Sequence, residues 1–349
     1  MTSSVVIATY NGQRFILEQL ESIISQTVLP TEIIISDDGS TDNTKNIINA
    51  FIADHYDLPV SIMLITNDSG EHGVVSNFEN AVKHATGEYI FFCDQDDIWL
   101  ESKVERMIHV LQQTQAKVAF HNARILKEEN GTFSLTDDSV MAEYSFDESG
   151  VYIIDGPQGV FGSLYYRVIP GMCICVKRSY LLSIMPFSRG ALHDGWILFC
   201  AHADDSLVAV REELCFYRIH SSNTVGVKKY RTKRSLKKRV QSFDQEGKKS
   251  IINQYVWFSD VTDYLNGRFS DERINKMVNF YVGSRIRILS EMKLPATVHL
   301  LTYYRAGAYR KEGPIVLLHD LFFLWRYTRT ERKQFLMKKE EGTRHKTDE

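Results

Sequence analysis

Short apolar runs alternate with amphipathic helical stretches through roughly the first 125 residues, and few folds accommodate that pattern. Val5-Val6-Ile7-Ala8 is an unbroken apolar run, after which Gln13 to Ser25 sets Phe15, Ile16, Leu20, Ile23 and Ile24 on one helical face. Ile33-Ile34-Ile35 repeats the run. Ser40 or Thr41 caps a second helix carrying Ile47, Ile48 and Phe51, and Val60 to Ile65 is a third strand. A helix over Val74 to His84 and a strand over Tyr89 to Cys93 complete the series. Strands that are apolar throughout are buried on both faces, so the expectation is an α/β fold of the Rossmann-like kind: a mostly parallel sheet with helices on both sides.

In such a sheet, ligands bind beyond the carboxyl ends of the strands. The polar clusters fall there: Thr9-Tyr10-Asn11-Gly12 after the first strand, Ser36-Asp37-Asp38-Gly39-Ser40 after the second, and Asp94-Gln95-Asp96-Asp97 after the strand ending at Cys93. The last follows Phe91-Phe92-Cys93 directly, so a buried strand ends in three carboxylates within four residues. Such crowding requires a cation, dilution by solvent, or a proton. Asp94 and Asp96 at a strand end suit Mg²⁺ or Mn²⁺, which bridge phosphate oxygens; the alternative is an acidic turn capping a helix that begins near Ile98. Neither GxGxxG nor GxxxxGK[ST] occurs, which removes the main support for dinucleotide oxidoreductases and P-loop enzymes.

The net charge of −3 hides an asymmetry, because Lys228 to Arg239 holds eight basic residues and no acidic one while the remainder is acidic. A nucleic-acid-binding domain would carry its basic residues across a whole face, so nucleic acid is not an expected partner. Cys93, Cys173, Cys175, Cys200 and Cys215 lie in apolar contexts without paired metal-ligand spacing, and are expected to be reduced core thiols of a cytoplasmic protein. The chain begins its first strand almost at once, without a signal-peptide pattern, and no apolar run is long enough to span a bilayer.

Five segments in register, VVIATYNG, IIISDDGSTDNT, GEYIFFCDQDDIW, HDGW and YRIHSSNTVG, resemble the inverting family-two glycosyltransferases of the GT-A fold. The DQDD.W and HD.W variants are similar to bacterial rhamnosyltransferase-like members. The resemblance covers about residues 3 to 226 and implies a catalytic domain over 1–226. It also implies that Thr9, Tyr10 and Asn11 line a nucleobase pocket, that Asp38 holds base or ribose with Asp37 beside it, and that Asp94-Gln95-Asp96 is the DxD element holding metal and the donor's diphosphate. Asp194 then matches the catalytic base. His193 stands where many members have Glu, and the QxxRW motif of processive synthases is missing, which favours a distributive enzyme.

The expected reaction moves a sugar, with L-rhamnose from dTDP-rhamnose first and UDP-hexose or UDP-N-acetylhexosamine donors as the alternative. The expected acceptor is a hydroxyl of a saccharide or lipid-linked saccharide in a bacterial cell-surface polysaccharide. His220 is a candidate metal ligand or a structural histidine, and His193 is a candidate for orienting Asp194 or the acceptor. Lys103, two turns into the helix expected after the DxD element, is placed to reach phosphate or to be solvated; Trp99 is set one turn in. Trp196 is a candidate acceptor-stacking residue or a core residue.

Asn130 to Gly150 reads as a loop, Val168 to Val176 and Leu214 to His220 as strands, and His193 to Ala203 as a helix. Residues 227–349 form a basic, then helical region: Ser250 to Leu265, Asp271 to Met292, Thr297 to Tyr309 and Ile315 to Thr328. Its basic stretch and the apolar Ile315 to Trp325 are expected to hold the protein peripherally on an anionic membrane surface at the inner leaflet. A silent sugar-nucleotide or polyanion-binding module is the reading from another class.

Overall fold

The computed structural model describes residues 1–141, 151–153, 169–220, 253 and 256–265. Two compact units divide the chain, one of residues 1–187 with 192–231 and one of 188–191 with 232–349. The basic stretch, the last three expected helices and the Ile315 to Trp325 segment lie outside the described residues.

In the first unit the alternation becomes β1 (Ser3–Thr9), α1 (Ile16–Ile24), β2 (Glu32–Asp37), α2 (Thr44–Asp54), β3 (Ser61–Thr66), α3 (Val74–His84) and β4 (Tyr89–Asp94). β3, β2, β1 and β4 lie side by side and parallel, as their apolar sequences require. α1 buries Ile16, Leu20 and Ile23, a spacing of four then three that draws one stripe down the helix. Its start is set by Gly12, whose carbonyl accepts from both Phe15 N and Ile16 N at 3.0 Å.

Beyond β4 the chain departs from the simple alternation. β5 (Ile98–Trp99) is a two-residue strand paired with a later one, and α4 (Lys103–Gln113) starts four residues after Trp99. Trp99 is therefore on a strand and Lys103 opens the helix, so no helix begins near Ile98 for the acidic turn to cap. β6 (Val118–Glu129) and β7 (Thr132–Ser139) form a hairpin where a loop was expected. Its turn is Asn130-Gly131, both at positive φ (52° and 81°), the backbone that a tight hairpin of this twist demands. β7 is half exposed and its only apolar residues are Phe133 and Leu135, too short an alternation to read as a strand.

The remaining described elements are β8 (Val151–Ile153), a 3₁₀ turn (Gly171–Cys173), β9 (Ile174–Lys177), α5 (Arg178–Ser183), α6 (His193–Ala203) and β10 (Leu207–Ile219). β9 starts six residues later than the sequence suggests, and β10 seven residues earlier. The sheet order is β3-β2-β1-β4-β9-β6-β10-β5, with β9 antiparallel to both neighbours and β10 parallel to β6. Two register shifts interrupt the β6–β10 ladder, between Val210 and Glu213 and between Glu213 and Phe216; such bulges re-aim the side chains that follow. In the second unit, residues 256–265 are helical, with Trp257, Phe258, Val261 and Leu265 buried, and Ser188 Oγ donates to Asp260 Oδ2 at 2.6 Å.

Candidate active site

Parallel pairing of β1 with β2 and β4 places Thr9 opposite Asp37 and Ala8 opposite Asp94, so the three polar clusters share one edge of the sheet. Side chains tie them together. Gln95 clamps the loop after β1 from both sides: its Oε1 accepts from Tyr10 N at 3.0 Å and its Nε2 donates to Tyr10 O at 3.2 Å. A Cβ at Gly12 would meet that amide, so a side chain there would displace the Gln95 clamp. Asn11, at φ 50°, accepts through Oδ1 from Thr41 N at 2.9 Å, and its own N–H donates to Ser40 Oγ at 2.9 Å. Tyr10 is left 55% exposed above this frame, free to face a planar ligand.

Asp37 and Asp38 divide their work. Asp37 is buried and accepts from Ser40 Oγ (2.5 Å), Ser40 N (2.9 Å) and Thr9 Oγ1 (3.1 Å), which makes it the organiser of its loop. Asp38 holds the segment after β3, accepting from Gly73 N at 2.7 Å, Asn67 Nδ2 at 2.8 Å and His72 Nδ1 at 3.1 Å. Asn67 was not singled out from sequence as a site residue, although it directly follows the neighbouring β3 on the same edge as the other clusters.

The acidic turn meets its repulsion with raised carboxyl pKa values and with one buried lysine. Burial first, then the Asp96 charge, lifts Asp94 to about 7, against a partly opposing pull from Lys103. Asp97 is fully buried, its carboxyl raised well above the ordinary range by burial and by Asp96 and Asp94, while its Oδ1 accepts from Arg218 N at 3.0 Å. Lys103 corrects both expectations held for it. It is 0% exposed, donates from Nζ to Met172 O at 2.6 Å and sits 3.5 Å over the Trp99 ring. It is neither solvated nor placed for phosphate, and acts as an internal counter-charge beneath the carboxylates.

His220 arrives from the end of β10 and its Nε2 lies 2.8 Å from Asp96 Oδ2, with the ring stacked 4.5 Å from Phe15. Arg218, two residues earlier and so on the same face of the strand, pairs with Glu18 and donates from Nη1 to Asp96 O at 3.4 Å. Sequence reading passed over Arg218 although the strand's period of two signals it. Asp94, Asp96 and His220 do not form a preassembled trio: the single three-residue group among the described residues whose ligand atoms gather within 4.8 Å is another one, His121 with Cys173 and Cys215. The donor set nevertheless fits a hard divalent cation in part, since a carboxylate and an imidazole already meet and a second carboxyl is held near neutral pH.

Asp194 stands in the first turn of α6, buried, with Oδ1 accepting from Gly195 N at 2.7 Å. Burial lifts its carboxyl to about 8; the Gly195 N–H pulls it back and the nearby Asp94 charge adds to the rise. His193 is packed among Phe78 (4.1 Å between centroids) and Phe92 (5.1 Å), with neither ring nitrogen hydrogen-bonded and its pKa lowered by burial to about 3. That corrects its expected role: it holds α6 against the sheet as a neutral ring, and Gly171 must be glycine because any Cβ would strike it. Trp196 is likewise buried, its Nε1 donating to Ile184 O at 2.7 Å, and is a core residue with no face for a sugar.

Comparison with known proteins agrees with this geometry. The family model described as glycosyl transferase family 2 matches residues 4–167. The dTDP-rhamnosyl transferase RfbG of Shigella flexneri is 30% identical over 303 residues, covering 82% of this chain and 93% of that protein. A UDP-Glc:alpha-D-GlcNAc-diphosphoundecaprenol beta-1,3-glucosyltransferase, WfaP of Escherichia coli, is 38% identical over 125 residues, 36% of this chain and 47% of that one. Among solved structures, S. aureus TarS 1–349 superposes with a TM-score of 0.51 at 15% identity, covering 94% of this chain and 92% of that one, a likeness of fold alone. With the motifs on one sheet edge and a relative similar over most of its length, this chain is a glycosyltransferase of the GT-A fold and belongs to glycosyl transferase family 2.

Proposed function

We propose that this protein is a metal-dependent inverting transferase that moves L-rhamnose from dTDP-rhamnose to a hydroxyl of a lipid-linked saccharide. The observation that carries the reading is a buried carboxyl, Asp194, held near pH 8 beside the acidic turn at the sheet edge. The loops of Thr9, Tyr10 and Asn11 and of Asp37 and Asp38 receive the nucleoside, with Tyr10 facing the base and Asp38 at the ribose side. Gln95 acts by fixing the Tyr10 backbone. Asp96 and His220, with Asp94 as the second carboxyl, would hold Mg²⁺ or Mn²⁺, which when bound neutralises the charge of the departing nucleoside diphosphate. Asp194, deprotonated, takes the acceptor hydroxyl's proton while that oxygen attacks the anomeric carbon on the face opposite the leaving group, so the configuration inverts in one displacement.

The rhamnose donor is supported by similarity to the S. flexneri protein over most of the chain. A UDP-hexose donor is the second reading, supported by the more local similarity to WfaP, whose name also supports a diphosphate-linked lipid acceptor. No helix among the described residues is long and apolar enough to cross a membrane. Attachment through the basic stretch is the reading for its place at the inner leaflet, and absence of sedimentation with anionic liposomes at low salt would remove it.

The experiment is nucleoside diphosphate release from a donor panel with an acceptor extract, in Mn²⁺, Mg²⁺ or EDTA. The expected result is metal-dependent dTDP release from the rhamnose donor, lost in Asp96→Ala and Asp194→Asn. UDP release would replace the donor and keep the mechanism; full release in EDTA would overturn the metal.

A further inference from the structure

We propose that His121, Cys173 and Cys215, with the Met172 thioether, form a buried site for a soft, thiophilic cation, separate from the Asp96–His220 pair. The three ligand atoms lie within 4.8 Å of one another and all three residues are fully buried. Both thiols donate to the Met172 thioether, Cys173 Sγ at 3.1 Å and Cys215 Sγ at 3.4 Å, so a third sulfur adjoins the cluster. The histidine is set up for ligation. Its Nδ1 lies 2.7 Å from Asn122 O, where it donates a proton and leaves Nε2 with the lone pair; Nε2 makes no well-formed hydrogen bond, although the Met172 backbone, whose carbonyl accepts from Lys103 Nζ, lies close to the ring. A metal-bound histidine is held in the same way, its other nitrogen fixed by a backbone carbonyl.

The fold explains why these residues meet although the sequence separates them. His121 comes from β6, Met172 and Cys173 from the 3₁₀ turn before β9, and Cys215 from β10 within the second register shift of the β6–β10 ladder. A cation there would pin three elements together under the acidic turn. Two thiolates, a thioether and an imidazole select Cu⁺ or Zn²⁺ over the hard Mg²⁺ and Mn²⁺ that carboxylates prefer. Binding breaks two S–H bonds and forms two metal–thiolate bonds, and both protons leave to solvent.

The test is titration of the full chain, reduced and stripped with chelator, with Co²⁺ as a spectroscopic probe. The expected result is thiolate-to-cobalt charge-transfer absorption that saturates at one equivalent in wild type and in Asp96→Ala alike. It is lost in the Cys173→Ser/Cys215→Ser double variant, and His121→Gln weakens Co²⁺ binding by about tenfold or more. His121→Gln also keeps the test open should the serine variant fail to fold. Displacement by Zn²⁺ then assigns zinc, and displacement by Cu⁺ alone assigns copper. No charge-transfer band, or one that survives in both the serine and the glutamine variants, would overturn the site; so would cobalt absorption that disappears in Asp96→Ala.

Discussion

The two halves of the sheet edge solve different problems. Around β1, β2 and β3 the polar groups are satisfied locally: Asp37, Asp38, Asn11 and Gln95 spend their hydrogen-bonding capacity on the backbone and side chains of neighbouring loops. Around β4, α6 and β10 the carboxyls of Asp97 and Asp194 are buried, that of Asp94 is half-buried, and all three are pushed upward in pKa. The first half is a rigid frame of the kind that binds by shape at low entropic cost. In the second, the raised carboxyls hold a proton more readily than ordinary ones, a kind of shift that catalytic groups also show.

The largest way to break that contrast is Asp194→Asn. Loss of a general base costs about 10²–10⁴-fold in turnover, and steady-state kinetics should find that loss with the donor KM nearly unchanged. Asp96→Ala should act differently, weakening metal-supported nucleoside diphosphate binding on the order of 100-fold by calorimetry while leaving metal-free binding close to wild type. Equal effects of Mn²⁺ on both proteins would remove Asp96 from the cation site.

A substitution in the frame should be milder. Gln95→Ala removes two hydrogen bonds to Tyr10 and should raise donor KM several-fold, with a stability loss of about 1–3 kcal/mol by denaturant titration. If turnover fell as far as in Asp194→Asn, the division between frame and catalytic half would fail.

Much of the frame was legible in the sequence, and little of the catalytic half. The apolar runs of β1 to β4 admit one reading, and the carboxyl ends of parallel strands place Thr9, Asp37 and Asp94 together before any coordinates are known. Lys103 and His193 were misread for one reason, whereas of the two readings of Trp196 the core one holds. Polarity and position suggest exposure, whereas burial under an aromatic or against a carbonyl is a tertiary fact that periodicity does not carry. β7 escaped because Phe133 and Leu135 are its only apolar residues, and Asn130-Gly131 is the clearest mark of its hairpin. The grouping of His121 with Cys173 and Cys215 depends on a bulged ladder and had no spacing to betray it.

The smallest predicted effect concerns stability. The Asp194 carboxyl titrates near 8 in the folded protein against an ordinary 3.8, so the folded state holds the extra proton across that window and stability falls as pH rises through it. Asp194→Asn removes that cost, and its Tm advantage should grow from about pH 5 to about pH 8, reaching on the order of 5 °C. A constant difference across the range would mean that the carboxyl is not proton-bound when folded.

The pH dependence of kcat at saturating donor, acceptor and metal tests the central claim most directly. If Asp194 is the base, turnover in wild type should climb with pH and level off near or below 8, because a cation at Asp94 and Asp96 lowers the neighbouring charge. The residual activity of Asp194→Asn should lack that rising limb. The same limb in the variant, with turnover near wild type, would show that the proton leaves the acceptor by another group.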